Sequence, residues 1–252
     1  MPQSKSDSVD KGFWKNPIRC PAASLHLYFL FLSIPLVIFL SVWTPPFLSP
    51  DEPGHFARAY QIAGGKILGS DGGYIDEGIL RLWNYISEGH FPPQVHYSPE
   101  YRAGAEEIPW TGNRVFYEFP NIAQYSPTGY LPQALGIMLG KSVGAGVART
   151  LILARLFNGM MAILVCTFAL FWCRAGKVFM FSVLLLPMTL CLFASASQDA
   201  SLIAFTSLAF SLISRQLTEG SALSRGKIIV LLVLFLVISL GRPPYAALTL
   251  VL

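Results

Sequence analysis

The chain has 252 residues, 53% hydrophobic and only 13% charged, with a net charge of +4 and a mean hydropathy of +0.52. About 25% charge is usual for a soluble domain, so the composition excludes one. The basic residues form no stripe, which excludes nucleic acid as a partner. Four scattered cysteines, Cys20, Cys166, Cys173 and Cys191, offer no zinc spacing. Phosphate-loop, dinucleotide-binding and zinc-protease motifs are absent from the sequence. The fold class this implies is an all-α membrane protein, a multi-span helical bundle with one long extracytoplasmic loop after the first span.

Residues 1–24 carry Lys5, Lys11, Lys15 and Arg19 ahead of an uncharged apolar run at 25–43. The run is 19 residues long, and about 20 suffice to cross the hydrocarbon core. The basic flank predicts a cytoplasmic amino terminus and an uncleaved signal anchor.

Residues 44–129 follow as the loop. Ten of the fourteen acids fall between Thr44 and Tyr125 against five basic residues, a balance of −5, while the rest of the chain carries +9. Aromatic residues recur along it, among them Trp83, Trp110, Tyr117 and Tyr125. An acidic loop of this length after an inward-anchored helix is expected outside the cytoplasm, with a function of its own.

Residues 130–252 form the hydrophobic multi-span region. Spans are expected near Thr150–Trp172, Val178–Ala196, Ser201–Ser214 and Ile228–Leu240. If the shorter stretch Tyr130–Gly140 dips in without crossing, the basic connectors Arg174/Lys177 and Arg215/Arg225/Lys227 lie inside; if it crosses, every later loop flips, and the distribution of basic residues favours the first arrangement slightly. The last apolar run, from Ala246, has no polar stop, and the reading expects further spans beyond a truncated end.

Three constellations carry candidate chemistry. In SPDEPGHFARAY, Ser49 and Glu52 have capping-box spacing and Pro50 suits a first helical position, predicting a helix from about Pro50 to Ala63 that ends at Gly64-Gly65. Asp51, His55 and Arg58 then recur at i, i+4 and i+7 on one face, beside Tyr60. Capping accounts for Ser49 and Glu52, but not for His55 and Arg58. The second constellation, SASQD, places Asp199 at the junction of two spans, as a functional acid or as a turn and cap residue. The third, GRPPY, breaks the last span with Arg242 and Tyr245; Arg242, Arg149 and Arg155 are outward arginines that suit a lipid phosphate or snorkel to headgroups. At Tyr125–Tyr130, Ser126 reads as a cap and Pro127 as a first-turn residue.

The succession SPDEPGHFARAY, YSPTGYLPQALGIMLG, ARLFNG, LLLPM, SASQDA and GRPPY, from about Leu25 onward, resembles the bacterial family of predicted polytopic membrane proteins called domain of unknown function 2142. GRPPY has arginine where the family pattern has lysine, and members are generally longer. That family is in turn distantly similar to the C-type glycosyltransferases, which use polyprenyl-phosphate-linked sugars and carry an acidic motif just after the first span.

The resemblance implies sugar transfer from a polyprenyl-phosphate carrier at the outer face of a bacterial cytoplasmic membrane. It gives Asp51 or Glu52 the role of general base, with His55 and Asp199 beside it. Arg58, Arg155 and Arg242 would neutralise phosphate, and Tyr60, Tyr125 and Tyr245 would line the substrate. A divalent cation is implied loosely by SASQD, from which the second acid of the related metal motif is missing. The expected partners are membrane lipid and the carrier-linked sugar. The competing readings are a non-catalytic scaffold and a transport or flippase component of envelope-polysaccharide assembly.

Overall fold

The structure is a computed structural model that describes residues 24–69, 72–87, 98–220 and 223–246. The basic amino-terminal flank and the apolar run after Ala246 lie outside the described residues. The described chain is mainly helical, and α1 (Leu25–Trp43), α7 (Val147–Trp172) and α10 (Asp199–Glu219) are long and apolar enough to cross a membrane. The all-α, multi-span class holds.

α7 is the axis of the bundle, packed by α1, α10 and α6 (Leu131–Ser142). α1 turns Phe29, Ser33, Val37 and Ser41 inward at four-residue spacing, while Phe31 and Phe39 are 73% and 56% exposed. An apolar outer face on a mainly apolar helix suits lipid. α6 lies close on α7 because Gly136 and Gly140 carry no side chain: a Cβ on Gly136 would stand 2.7 Å from Ala154 Cα, and one on Gly140 2.6 Å from Thr150 Oγ1. This is the small-xxx-small spacing by which membrane helices approach. At about 1.5 Å per residue, twelve residues reach roughly 18 Å, too short to cross.

The span expected at Val178–Ala196 is interrupted. It forms α8 (Lys177–Leu184) and α9 (Pro187–Phe193), because Pro187 offers no N–H and starts a new helix. The span expected at Ser201–Ser214 runs longer, from Asp199 to Glu219, and α11 (Arg225–Gly241) covers the last one.

The loop is folded. It holds α2 (Glu52–Ala63), β1 (Gly72–Asp76), α3 (Glu77–Ser87), α4 (Pro99–Glu106), β2 (Arg114–Glu118) and α5 (Pro120–Ala123). β1 and β2 pair antiparallel, Tyr74 opposite Phe116, a ribbon that the sequence reading did not anticipate. The loop's Phe47, Phe56, Ile75, Ile79, Leu82 and Ile86 belong to a core that continues into α6 and α7 through Ile137, Val147 and Leu151. Asp76 ties the ribbon to the 111–112 turn, its carboxylate accepting from the N–H groups of Gly78, Thr111 and Gly112 and from the Thr111 hydroxyl. Burial pushes this carboxyl up, yet the four donors together bring it below the ordinary aspartate range.

Candidate functional site

The link from α1 to α2 positions the site. Phe47 and Asp51 both adopt left-handed backbone, at φ 62° and 57°, which reverses the chain within a few residues. Aspartate tolerates that region; a buried phenylalanine does so only where packing holds it. The expected capping box does not form. α2 starts at Glu52 rather than Pro50, with Asp51 as its N-cap and no side-chain cap bond, and Ser49 contributes only its carbonyl, to Glu52 N–H. The glutamate side chain has a stronger partner inside the protein.

That partner is Arg155. Arg155 Nε and Nη2 donate to the two Glu52 oxygens at 2.8 and 2.6 Å, and both side chains are buried. The remaining guanidinium donors serve the carbonyls of Ser41, Thr44 and Pro45, and Glu52 also accepts Ala196 N–H at 3.0 Å. One ion pair thus joins α1, α2, α7 and the α9–α10 connection. Arg155 is not an outward phosphate ligand in this structure, and Glu52 has its oxygens engaged.

The SASQD segment is stitched to the same centre. Asn158 Nδ2 donates to the carbonyls of Ser195 and Ser197, and Gln133 Nε2 to that of Ser197. His55, 5% exposed, bridges the Tyr130 hydroxyl at 2.7 Å and Ser197 Oγ at 3.4 Å. A neutral imidazole, with one donor and one acceptor nitrogen, suits that bridge. Burial lowers the His55 pKa below its ordinary 6.5, outweighing the acids around it.

A pH dependence follows. The folded chain takes up the His55 proton less readily than the unfolded chain, so the stability contributed by neutral His55 is present above about pH 6.5 and lost below it. The thermal midpoint is expected to fall between pH 7 and pH 5, and less steeply in His55→Gln. Equal slopes in the two proteins would remove His55 as the cause.

Two hollows meet beside this centre. A polar pocket of about 530 Å³ is lined by Asp51, His55, Trp83, Tyr117, Asn121, Tyr125 and Arg242 among others. An apolar groove of about 550 Å³ runs between α8, α9 and α10, past Phe179, Leu184 and Phe210, to Asp199, Arg242 and Tyr245. Arg242 lines both. Its Nη2 donates to Asp199 Oδ1 at 2.7 Å, and its Nε has no hydrogen-bond partner among the described residues.

The expected residues therefore divide. Asp51, His55, Tyr125 and Arg242 share the polar pocket, while Asp199 and Tyr245 sit with Arg242 at the groove. Arg58 does not join them: it is buried, bonded to the carbonyls of Lys66, Ile67 and Tyr125. Tyr60 stacks on Trp110 outside the pocket, and Arg149 pairs with Glu106. The sequence reading missed Asn158, Gln133, Tyr130 and Ser197 as parts of the centre. Asn158 follows Arg155 by three positions, so two polar groups on one face of an otherwise apolar span were the available signal.

The donor set does not fit a divalent cation. Among the described residues no three His, Cys, Asp or Glu side chains come together to hold one, and Asp199 carries Arg242. No curated protein and no solved structure matches the chain. A family model matches residues 34–252, and it is described as predicted membrane protein (DUF2142). With α1 at the start of that match and Arg242 near its end, nearly the whole bundle falls within it, and the chain belongs to that family.

Proposed function

We propose that the protein is a membrane glycosyltransferase that moves a sugar from a polyprenyl-phosphate carrier at the outer face of the cytoplasmic membrane. The observation that carries this reading is the shared arginine: an apolar groove and a polar, aromatic-walled pocket both end at Arg242. A carrier-linked sugar has the same three parts in the same order. The prenyl chain suits the groove, the phosphate suits Arg242, and the sugar ring suits Trp83, Tyr117 and Tyr125.

In the reaction, an acceptor hydroxyl attacks the anomeric carbon and passes its proton to Asp51. The bond from that carbon to the phosphate oxygen breaks, the electron pair stays on the phosphate, and Arg242 neutralises the charge. Glu52 positions rather than reacts, since its oxygens are held by Arg155 and Ala196 N–H.

The test is reconstitution of the full chain in vesicles with a polyprenyl-phosphate-linked sugar and a range of sugar acceptors. Transfer in the wild type, lost in Arg242→Gln along with retention of the carrier, supports the reading. A chain that flips the carrier without cleaving it would favour the transport reading, for which the α8–α9 break is the suggestive feature.

The outward orientation is tested separately. In a cysteine-free background, a cysteine at Glu100, exposed in the loop, is expected to react with an impermeant thiol reagent in intact cells. A cysteine at Leu217, 79% exposed and eighteen residues along α10 from Asp199, is expected to react only after permeabilisation. Reversal of the two results would place the pocket inside.

A further inference from the structure

We propose that a second pocket, at the carboxy-terminal end of α2, binds a phosphate group. This pocket, of about 300 Å³, shares no lining residue with the transfer pocket. Lys66 and Arg114, from the otherwise acidic loop region, and Lys141, from the end of α6, line it together with Tyr60, Gln61 and Tyr74. No carboxylate lines it.

The cations are placed rather than scattered. Lys141 Nζ stands 4.9 Å from the centre of the Tyr60 ring and 4.8 Å from that of Trp110, and these two rings stack on each other at 5.6 Å. Trp110 is itself fixed by donating Nε1–H to Ala145 O at 3.0 Å. A lysine held over two aromatic faces keeps its charge and its donors directed. Lys66, Arg114 and Lys141 form no ion pair among the described residues, although Asp76 stands opposite Arg114 in the ribbon. Asp76 lies near enough to act on Tyr60, but its oxygens are taken by the N–H groups of the ribbon and turn.

Gln61 is the independent observation. It is only 3% exposed, it lines the pocket, and its Nε2 has no hydrogen-bond partner among the described residues. Gly73 makes room for that amide. A Cβ on Gly73 would stand 2.0 Å from Gln61 Nε2 and 3.0 Å from Lys66 Nζ, so an amide donor and an ammonium converge where β1 lacks a side chain. A buried amide donor, two ammonium groups and a guanidinium around one small volume suit the several oxygens of a phosphate.

Two sources supply such a group. Ile67 and Leu68, next to Lys66, are 59% and 85% exposed, and Met138 on the pocket wall is 53% exposed, which suits an anionic lipid headgroup at the membrane surface. The alternative source is free phosphate or a soluble phosphorylated compound. The full chain is tested in phosphatidylcholine nanodiscs in two arms. In one, inorganic phosphate is titrated calorimetrically; in the other, phosphatidylglycerol replaces part of the lipid and its retention is measured by native mass spectrometry.

The expected result is binding in at least one arm, weakened about ten-fold or more in Lys66→Gln/Arg114→Gln/Lys141→Gln, as loss of charge-assisted hydrogen bonds predicts. Gly73→Ala, which keeps every charge but fills the cradle, is expected to weaken it too. Binding of inorganic phosphate assigns a soluble source; retention of phosphatidylglycerol alone assigns the headgroup. Equal binding by wild type and both variants, or binding in neither arm, overturns the proposal. Asp51→Asn is expected to leave this binding unchanged, which keeps it separable from the transfer reading.

Discussion

Arg155→Met is expected to destabilise the protein by about 3–5 kcal/mol, the usual cost of removing one partner from a buried ion pair. The variant leaves the buried Glu52 carboxylate with the Ala196 N–H but no counter-charge and takes the donors from the Thr44 and Pro45 carbonyls. Four parts of the chain meet at this pair, so the damage should spread from the α1–α2 link to the α9–α10 connection. Thermal unfolding of the purified protein in detergent, followed by tryptophan fluorescence, gives the measurement. Glu52→Leu/Arg155→Met is expected to recover part of the loss, because it removes both buried charges together. A midpoint in Arg155→Met equal to that of the wild type would show that the pair does not hold the bundle together.

This pair also marks where sequence reading succeeds and where it stops. α1 and α7 were legible because apolar length is a local property, and both follow their hydropathy closely, whereas the expected Val178–Ala196 span is broken at Pro187. The end of α2 at Gly64 and the cap at Ser126 were legible for the same reason, since caps are set by a few neighbouring residues. The start of α2 was not. Ser49-Pro50-Asp51-Glu52 has the spacing of a capping box, but an arginine 103 positions away offers Glu52 a charged bidentate partner in a buried setting. Local spacing carries no trace of that competitor. The ribbon escaped notice similarly: Gly72–Asp76 and Arg114–Glu118 are five residues each and lie far apart, so neither has a periodicity that stands out alone.

Arg58 shows the same limit for the site. Helical spacing puts Asp51, His55 and Arg58 on one face of α2; His55 and Arg58 are buried along the helix, but Asp51 is its exposed, left-handed N-cap and lies outside it. What spacing cannot supply is the partner each side chain meets. His55 meets Tyr130 and Ser197, whereas Arg58 meets the carbonyls of Lys66 and Ile67 just after α2 and that of Tyr125 just after α5. A guanidinium so engaged holds the loop closed over α2. The phosphate-binding role in the transfer reading therefore rests on Arg242, which has a donor to spare.

Asp51→Asn is expected to lower sugar transfer by about 10²–10⁴-fold, the range for loss of a general base, while leaving the fold intact. The two halves of this expectation have separate causes. Asp51 is exposed, makes no side-chain cap bond and sits in left-handed backbone, where asparagine is as well accommodated as aspartate. The thermal midpoint should therefore match wild type, in contrast to Arg155→Met. The amide cannot accept the acceptor's proton, so the loss belongs in kcat, with retention of the carrier unchanged because Arg242 and the groove are untouched. Full transfer by Asp51→Asn would remove it as the base and leave His55 and Glu118, which line the same pocket, as candidates, testable by His55→Gln and Glu118→Gln. Loss of transfer together with a lowered midpoint would instead give Asp51 a structural role in the α1–α2 turn, where its carbonyl accepts His55 N–H while its side chain makes no cap bond.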